Sequence, residues 1–482
     1  MAIQIYNTLT KQKEPFVPIT PGHVKMYLCG PTVYDFLHVG NFRGPIVFNL
    51  FRNWLEKKGL KVTFVYNYTD VDDKIINRAN ELKIPAKEVA DKYIVEFEKD
   101  FKSLDLTPHE HNPRVTDYIT EIIEMISKLI ENKKAYAADG DVFYSVKSDE
   151  NYGQLSHKNI DELQIGARVE IGSKKENPLD FSLWKPAKPG EPKWPSPWGE
   201  GRPGWHIECS AMSHKLLGDT FDIHGGGIDL IFPHHENEIA QSEGATGKKM
   251  VNYWIHHNFI NFGSEKMSKS LGNVATARNF LTKYNPEILK YMILMAHYRS
   301  HSDFSESQIH NAIRALARIY SALALASPIS QGASEIDKEF ETAVDAAKKG
   351  VTDALDDDFN TPEVFARIFE IVRLYNAGHK HGQKITPKMK WRAGAMTTWI
   401  LEVGNLMSLF QQPPAQFLQT LDDMLLEHMN LSRASIDKLV TDRKAARASK
   451  DFSKSDELRR QLNDMGIAVN DSAEGTIWEV LK

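Results

Sequence analysis

The chain has 482 residues, of which 41% are hydrophobic and 26% are charged, and its formal net charge is -5 at pH 7. This length favours two to four domains. The net negative charge excludes a uniformly basic nucleic-acid-binding surface, but it is compatible with a local basic face. No apolar run approaches the roughly 18 residues of a membrane helix, and residues 1–16 lack the apolar core of a secretion signal. We therefore expect a cytoplasmic protein that does not contact a membrane.

The first predicted elements form a strand–helix–strand unit. Residues 25–29 are typical of a short buried strand, which Gly30 and Pro31 end. Residues 46–58 repeat apolar side chains at helical spacing, and residues 61–66 alternate as a second strand. Since two strands joined through a helix pair in parallel, the pattern predicts an α/β fold with a Rossmann-like parallel sheet.

The middle of the chain is typical of an insertion that splits this sheet. A helix is predicted over residues 117–132, and residues 177–204, which are rich in Pro, Gly and Trp, favour a long ordered loop. The sheet pattern resumes with a strand at 221–224. Three glycines follow at 225–227, and then a helix is predicted over about 233–242.

Helical periodicity dominates from about residue 308 onward. The acidic run 356–358 favours a solvated helix end over a metal site, and Gln-Gln-Pro-Pro at 411–414 favours a linker. The tail from residue 431 mixes basic and acidic side chains. Its charge alone fits a solvated helix pair as well as an RNA contact.

Two short motifs have the chemistry to bind a polyphosphate. His38, Gly40 and Asn41 lie between the first strand and its helix, where glycine lets a ligand approach the backbone and the helix N-terminus attracts phosphate. Lys266 and Lys269 are three apart in a loop with Gly and Ser, which suits charge that grows during nucleotidyl transfer. Taken alone, the first motif also fits an ordinary capping turn and the second a solvated basic loop.

A third set of residues suits a metal ion. His234 and Glu238 are four apart on a predicted helix and project from one face, and the chain has only two cysteines, Cys29 and Cys209. Two thiolates, an imidazole and a carboxylate make a tetrahedral zinc set. Isolated cysteines are more often core residues, so spacing alone leaves open two buried thiols beside a surface helix.

The two polyphosphate motifs together resemble the HIGH and KMSKS signatures of class I aminoacyl-tRNA synthetases, with Asn41 as a variant of the second histidine that can still donate to phosphate. Longer segments are similar to the cysteinyl-tRNA synthetases over nearly the whole chain, with 310–410 the least distinctive region. These segments are Tyr27-Leu-Cys-Gly-Pro-Thr-Val-Tyr34, Tyr68-Thr-Asp-Val-Asp-Asp-Lys74, Gly204-Trp-His-Ile-Glu-Cys209, His224-Gly-Gly-Gly-Ile-Asp-Leu-Ile-Phe-Pro-His-His-Glu-Asn-Glu238, Lys450-Asp-Phe-Ser-Lys-Ser-Asp456 and Gly475-Thr-Ile-Trp478.

The resemblance implies a Rossmann-like catalytic core with a split insertion, followed by an α-helical bundle and a small C-terminal anticodon-binding domain. The expected boundaries are 1–114 and 205–260 for the two halves of the core, 115–204 for the connective insertion, 261–307 for the stem-contact region with the KMSKS motif, 308–410 for the bundle and 411–482 for the anticodon-binding domain.

The resemblance also implies an enzyme that activates L-cysteine with ATP and transfers it to the 3' end of tRNA-Cys, releasing AMP and diphosphate. The expected partners are tRNA-Cys, L-cysteine and ATP, which binds with magnesium as a substrate. One zinc ion per chain, held by Cys29, Cys209, His234 and Glu238, would capture the substrate thiolate and select cysteine over serine. We expect a monomer.

The expected site residues divide by their ligand. His38, Asn41, Lys266 and Lys269 are the expected catalytic residues, because they stabilise charge on the triphosphate. The expected ATP-binding residues are these four with Gly40, Gly227 and Asp229, the last two at the ribose. The cysteine pocket is expected to include Cys29, Thr69, Trp205 and His224. Five histidines are candidates to support the metal ligands, although each fits a satisfied structural histidine about as well: His206, His224, His235, His256 and His257.

Two other functions compete with this one. A related ligase that joins cysteine to an amino sugar in mycothiol synthesis shares the catalytic half, but it lacks the anticodon-binding tail, so residues 412–482 argue against it. The second is a catalytically silent RNA-binding paralogue. The intact His38, Lys266 and Lys269, together with the complete metal set, argue against that function.

Overall fold

The chain folds into two compact units, each assembled from three separate stretches of sequence. The computed structural model describes residues 2–158, 174–261, 276–332, 335–379, 383–472 and 475–482. The first unit comprises Met1–Arg278, Ile293–Asp303 and Val351–Val364, and the second comprises Asn279–Met292, Phe304–Gly350 and Phe365–Lys482.

The first unit is a mixed α/β structure. Its strands are β1 (Gln4–Asn7), β2 (Gln12–Pro15), β3 (His23–Leu28), β4 (Lys61–Tyr66), β5 (Ala135–Ala138), β6 (Asp141–Tyr144), β7 (Phe181–Pro186), β8 (Gly201–Pro203), β9 (Phe221–Gly227), β10 (Val251–His257), β11 (Ile260–Asn261) and β12 (Ser302–Asp303). Its helices are α1 (Arg43–Lys57), α2 (Asp73–Leu82), α3 (Ala86–Ser103), α4 (Ile119–Glu131), α5 (Trp205–Leu217) and α6 (Glu236–Thr246).

The central sheet is parallel, as predicted, with strand order β10–β9–β3–β4. Helix α1 connects β3 to β4 and buries its apolar stripe, including Ile46, Leu50 and Trp54. Pro45 lies in the first turn of α1, and Gly59, with a φ of 86°, lies just past its end. The expected fold class and the first strand–helix–strand unit are therefore confirmed.

Strand β9 continues through three glycines that the sequence had placed after it. A Cβ built on Gly225 would lie 2.0 Å from the Phe48 ring of α1, and one on Gly226 would lie 2.7 Å from the His235 ring. Only glycine lets helix and histidine pack this closely on the strand. The prediction that the strand ends at His224 was wrong for this reason.

The insertion contains an antiparallel sheet with strand order β5–β6–β7–β8. Asp139 and Gly140 join β5 to β6, and both have positive φ, 51° and 84°, as a two-residue hairpin turn requires. The prediction of one long loop over 177–204 was wrong at β7 and β8. Trp184 of β7 has no exposed surface, so this tryptophan fills a core under the sheet.

The acidic run 356–358 does end a helix, and the prediction that it is solvated holds for the exposed Asp357 but was wrong for the buried Asp356 and Asp358. Asp358 has no exposed surface and accepts hydrogen bonds from the Tyr6 amide at 2.9 Å, the Tyr298 hydroxyl at 2.6 Å and the Arg299 guanidinium at 2.7 Å. Asp356 accepts from Trp54 Nε1 at 3.1 Å. Residues 6 and 298–299 thus join at the Asp358 carboxylate, and Trp54 of α1 joins at Asp356.

The second unit is helical, as predicted, apart from a C-terminal hairpin of β13 (Ile467–Ser472) and β14 (Gly475–Val480). The helices that lie wholly or partly in this unit are α7 (Ala277–Lys283), α8 (Pro286–Leu294), α9 (Glu306–Ala326), α10 (Lys338–Asp356), α11 (Thr361–Ala377), α12 (Pro387–Met407), α13 (Pro414–His428), α14 (Arg433–Ala448) and α15 (Phe452–Asp464).

Helix α9 has 21 residues, a length that only α12 equals among the described residues. Together with the turn that follows, at 306–329, it is long and apolar enough to cross a membrane by length and composition alone. Half of that window is buried within the unit, where α9 packs against α12 and α13. The core helix of a bundle passes the same test, so the signal is weak evidence for a membrane span.

Candidate active site

A cavity of about 430 Å³ opens at the carboxyl ends of β3, β9 and β10. Open α/β sheets bind their ligands at this edge. Most of the predicted site residues that the structure describes line the cavity: Cys29, His38, Gly40, Asn41, Thr69, Trp205, Cys209, Gly227, Asp229 and His234. Lys266 and Lys269 lie outside the described residues.

The four predicted metal ligands meet at one side of the cavity. Cys29 Sγ lies 3.7 Å from Cys209 Sγ, 3.6 Å from His234 Nε2 and 3.4 Å from Glu238 Oε1. His234 Nε2 lies 2.9 Å from Glu238 Oε1. Two sulfurs bound to one tetrahedral zinc ion at about 2.3 Å would be about 3.7 Å apart. The sulfur separation therefore fits zinc, and Cys209, His234 and Glu238 are all buried.

The chain brings these ligands together from four elements. Cys29 directly follows β3, and Cys209 lies in the second turn of α5. His234 lies in the segment Ile231–His235, where the extended backbone of Phe232 (φ -139°, ψ 130°) makes a kink before α6, which carries Glu238. The predicted helix over 233–242 is therefore present, although it begins at Glu236 and runs to Thr246, and the alternative of a surface helix beside two core thiols was wrong because His234, His235, Glu236 and Glu238 are buried.

Neighbouring histidines contact two of these ligands. His224 Nε2 lies 2.8 Å from Glu238 Oε2, and His206 Nδ1 lies 2.9 Å from His234 Nδ1. His235 Nδ1 lies 2.8 Å from His256 Nε2, and neither of these two rings lines the cavity. Such contacts fix the orientation of ligand side chains. His224 has no exposed surface, so the structure places it behind Glu238, not among the residues that line the cavity.

The electrostatics of this cluster favour a cation. The hydrogen bond from Cys29 lowers the pKa of the Cys209 thiol to about 6, although burial opposes this shift. Burial would also lower the pKa of His234, but Glu238 and Cys209 raise it to about 10. Burial disfavours the charge of Glu238, yet His224 and His234 hold its pKa well below the usual value. Cys209 and Glu238 are thus anionic donors side by side, whereas burial and the neighbouring Cys209 raise the pKa of the Cys29 thiol well above its usual value. A divalent cation would stabilise the two anions and would displace the protons of Cys29 and His234 on binding.

A second grouping of donors shares two members with the first. Cys29 and Glu238 also lie near His224 and His235, with donor atoms within 4.8 Å of one another. The first grouping fits zinc better because it contains both sulfurs of the chain, and soft ligands favour zinc.

A second part of the same cavity is lined by the motif of His38, Gly40 and Asn41. His38 Nδ1 accepts from the Gly40 amide at 3.1 Å, and the His38 amide donates to Asn41 Oδ1 at 3.0 Å. This reciprocal capping fixes a 3-10 turn, Val39–Phe42, that leads into α1. Burial lowers the pKa of His38 to about 4. The imidazole is therefore neutral near pH 7, and because Nδ1 accepts, its proton lies on Nε2.

The remaining predicted residues lie around the cavity as follows. Trp205 is 41% exposed and stacks on the His234 ring with centroids 4.4 Å apart. Thr69 is buried, and its hydroxyl lies 3.2 Å from Glu208 Oε2. Gly227 ends β9, and the exposed Asp229 follows two residues later. His257 lines the cavity beside Gly44, and burial lowers its pKa to about 4.

Sequence reasoning missed three buried polar residues at this site. Asn67 has no exposed surface, and its Oδ1 accepts from the Gly30 amide at 2.9 Å. Glu208 is buried beside Cys209, and burial raises its pKa well above the usual value. Arg43 is 1% exposed and lines the cavity. Asn67 follows β4 directly, so its position at a strand end was a usable signal.

Three protein-family models match the sequence. Residues 15–314 match the catalytic domain of class I (C) tRNA synthetases, 350–411 match the DALR domain, and 432–478 match the cysteinyl-tRNA ligase anticodon-binding domain. The family match thus extends over most of the chain.

Relatives match over the full length. The sequence is 56% identical to the cysteine--tRNA ligase of Bdellovibrio bacteriovorus over 481 residues and 47% identical to that of Geobacter metallireducens over 487 residues, with 100% of both chains covered in each case. Among solved structures, the Mycobacterium tuberculosis methionyl-tRNA synthetase in complex with methionyl-adenylate is similar with a TM-score of 0.60 at 12% identity. That match covers 86% of this chain and 94% of the other, and it shows the fold.

Proposed function

The chain belongs to the cysteine--tRNA ligases of the class I aminoacyl-tRNA synthetases, and from this membership we propose how its residues carry out the reaction. The observation that supports the proposal most strongly is the position of the metal cluster. Cys29, Cys209 and His234 line the same cavity as the His38–Asn41 motif, and the buried Glu238 completes their cluster. The match over 432–478 also rules out the related ligase that lacks an anticodon-binding tail.

The metal cluster would select cysteine. Cys29, Cys209, His234 and Glu238 would hold one zinc ion, which supplies a soft Lewis acid that favours sulfur over the hydroxyl oxygen of serine. Trp205, stacked on His234, would close one side of the amino-acid pocket, and the Thr69 hydroxyl lines the cavity nearby. Selection by metal–sulfur bonding explains how a pocket can reject serine, an analogue that apolar contacts alone reject poorly.

The part of the cavity around His38 and Asn41 would bind ATP with its magnesium. The Nε2–H of neutral His38 and the amide of Asn41 would donate to the triphosphate, which Gly40 allows to approach the backbone. Gly227 and Asp229 would hold the ribose, as an acidic group does in other nucleotide folds. Lys266 and Lys269 would neutralise charge that develops as the cysteine carboxylate attacks the α-phosphate and diphosphate leaves.

The anticodon-binding region at 432–478 would bind tRNA-Cys, whose terminal ribose then accepts the cysteinyl group. We place the enzyme in the cytoplasm because its two thiols are free cysteines, which suits a reducing compartment. A monomer stays a prediction, and the mass of the purified protein in solution measures it.

Two assays on the purified protein test this proposal. Charging of total tRNA with labelled cysteine should yield cysteinyl-tRNA, and cysteine-dependent ATP–diphosphate exchange should occur without tRNA. Elemental analysis of wild type and Cys209→Ser should show that stoichiometric zinc and exchange are lost together. Normal zinc content and exchange in Cys209→Ser would overturn the metal assignment, and no cysteinyl-tRNA from wild type would overturn the reaction.

A further inference from the structure

Arg43 is a buried cation with unusual partners. It is the first residue of α1, two positions after Asn41, and only 1% of its surface is exposed. Its Nη1 donates to the Phe259 carbonyl at 2.5 Å, and its Nη2 donates to the carbonyls of Ser300 at 2.6 Å and Tyr298 at 3.2 Å. Within the described part of the chain, no carboxylate pairs with Arg43, and its Nε has no partner.

This environment is unfavourable for a positive charge. Burial penalises the charged form of Arg43 and lowers its pKa to about 10. The N-terminal end of α1 adds a positive partial charge of its own, which repels a cation. A buried charge usually has a counterion, because removing it from water is otherwise costly. The missing counterion therefore points to an anion that binds nearby.

The contacts of Arg43 also define one wall of the cavity. Asn258, Phe259 and Ile260 line the cavity after β10, and Arg43 joins this wall to the loop at 297–300. The Asn258 side chain strengthens the same junction by donating to the Arg299 carbonyl at 3.0 Å. Since Arg43 follows the His38–Asn41 turn directly, one side chain sets the distance between the phosphate motif and the facing wall.

We propose that Arg43 is a positioning residue for ATP: it fixes the wall at 258–260 relative to the His38–Asn41 turn and provides the cavity with a positive charge that the triphosphate neutralises. This inference rests on the proposed function, which places ATP on this side of the cavity. The cysteine side, built on Cys29, Cys209 and Glu238, has no hydrogen bond to Arg43 among the described residues. Arg43 should therefore act on ATP and leave cysteine unaffected.

The experiment compares Arg43→Gln and Arg43→Lys with a matched control. Arg52→Gln removes another buried arginine of the same helix, which pairs with Glu56 and Glu110 and does not line the cavity. Calorimetric titrations measure the affinity for magnesium-ATP without cysteine and for cysteine without ATP. Zinc content and the melting temperature are measured on the same samples.

Arg43→Gln should weaken ATP binding about tenfold or more, with cysteine affinity and zinc content unchanged. Arg43→Lys keeps the positive charge but loses the forked geometry of the guanidinium. Its affinity for ATP should therefore lie between those of wild type and Arg43→Gln. Arg52→Gln should lower the melting temperature without weakening ATP binding.

A purely structural role makes a different prediction. Equal losses of ATP and cysteine affinity, or ATP binding in Arg43→Gln no weaker than in Arg52→Gln, would overturn the inference. If Arg43→Gln does not fold, Arg43→Lys decides: weaker ATP binding with normal cysteine binding supports a positioning role, and unchanged ATP binding contradicts it. Failure of wild type to bind ATP would instead contradict the proposed function.

Discussion

The two sides of the cavity are built on different principles. On the metal side, the functional side chains bind one another: Glu238 contacts His234 and His224, and Cys29 contacts Cys209. On the nucleotide side, the functional side chains bind backbone: His38 caps the Gly40 amide, and Arg43 holds the Phe259 carbonyl. The metal side is a network of mutually dependent side chains, whereas the nucleotide side depends on the course of the main chain.

This difference predicts which substitutions each side tolerates. Side chains that bind one another lose their geometry when a single member changes, since the remaining buried polar groups are left without partners. A change in a side chain held by backbone leaves no other functional side chain without its partner. Substitutions on the metal side should therefore affect several residues at once, and those on the nucleotide side should have separate effects on ATP.

Cys29→Ser should have the largest effect, because it removes one of the two sulfurs that fit zinc. We expect zinc to be lost and cysteine-dependent exchange to fall about a thousandfold, while ATP affinity stays normal. Elemental analysis, exchange rates and calorimetric titration with magnesium-ATP measure these three quantities. Equal loss of ATP and cysteine affinity would break the proposed separation of the two sides.

His38→Ala should have the next largest effect. Removing a donor to the developing charge slows catalysis about a hundredfold in comparable sites, and zinc content should not change. Steady-state exchange should show a lower kcat with a normal KM for cysteine. A raised KM for cysteine at an unchanged kcat would show that His38 belongs to the amino-acid pocket.

His224→Gln should have a moderate effect, since His224 contacts Glu238 and does not line the cavity. Loss of a residue that orients a metal ligand weakens metal binding about tenfold or more. Competition with a chelator of known zinc affinity measures this change. His23→Gln serves as the control, because His23 lies at the start of β3 and binds Thr63 instead of a ligand.

The smallest expected effect is the dependence of folding stability on pH through His38. Because burial lowers the pKa of His38 to about 4, the ring should stay neutral from pH 8 down to about pH 5. The unfolded chain takes up a proton near pH 6.5 and the folded chain does not, so His38 costs stability increasingly as the pH falls from 6.5 toward 4. Nitrogen NMR of labelled histidine, assigned with the His38→Ala variant, measures the midpoint. A midpoint near 6.5 would contradict a buried, neutral donor.

The sequence predicted the residues that would bind the metal better than the buried residues whose role depends on the folded structure around them. Cys29, Cys209, His234 and Glu238 were identified from ligand type, spacing and family resemblance, and the structure brings all four together. Arg43 was missed because its partners are backbone carbonyls of residues 259–300. Every residue type has such a carbonyl, so the sequence does not indicate these contacts. Glu208 was missed because only the fold reveals that a carboxylate next to Cys209 is buried.

The fold shows the same limit. The parallel sheet followed from local periodicity, and α1 was located to within a few residues. Asp358 was misjudged because its partners, Tyr6, Tyr298 and Arg299, are far away in sequence. The extent of β9 was misjudged because the reason for its glycines is the Phe48 ring on a different element.

The return of the chain to Asp358 has a consequence for synthesis on the ribosome. The first unit needs residues 351–364, yet Asn279–Met292 and Phe304–Gly350 of the second unit are made before them. A nascent chain that stops before residue 351 leaves the buried Tyr298 hydroxyl without its acceptor. The first unit therefore cannot finish folding in the order in which its residues are synthesised. A truncated gene that ends near residue 314 should yield an unstable product.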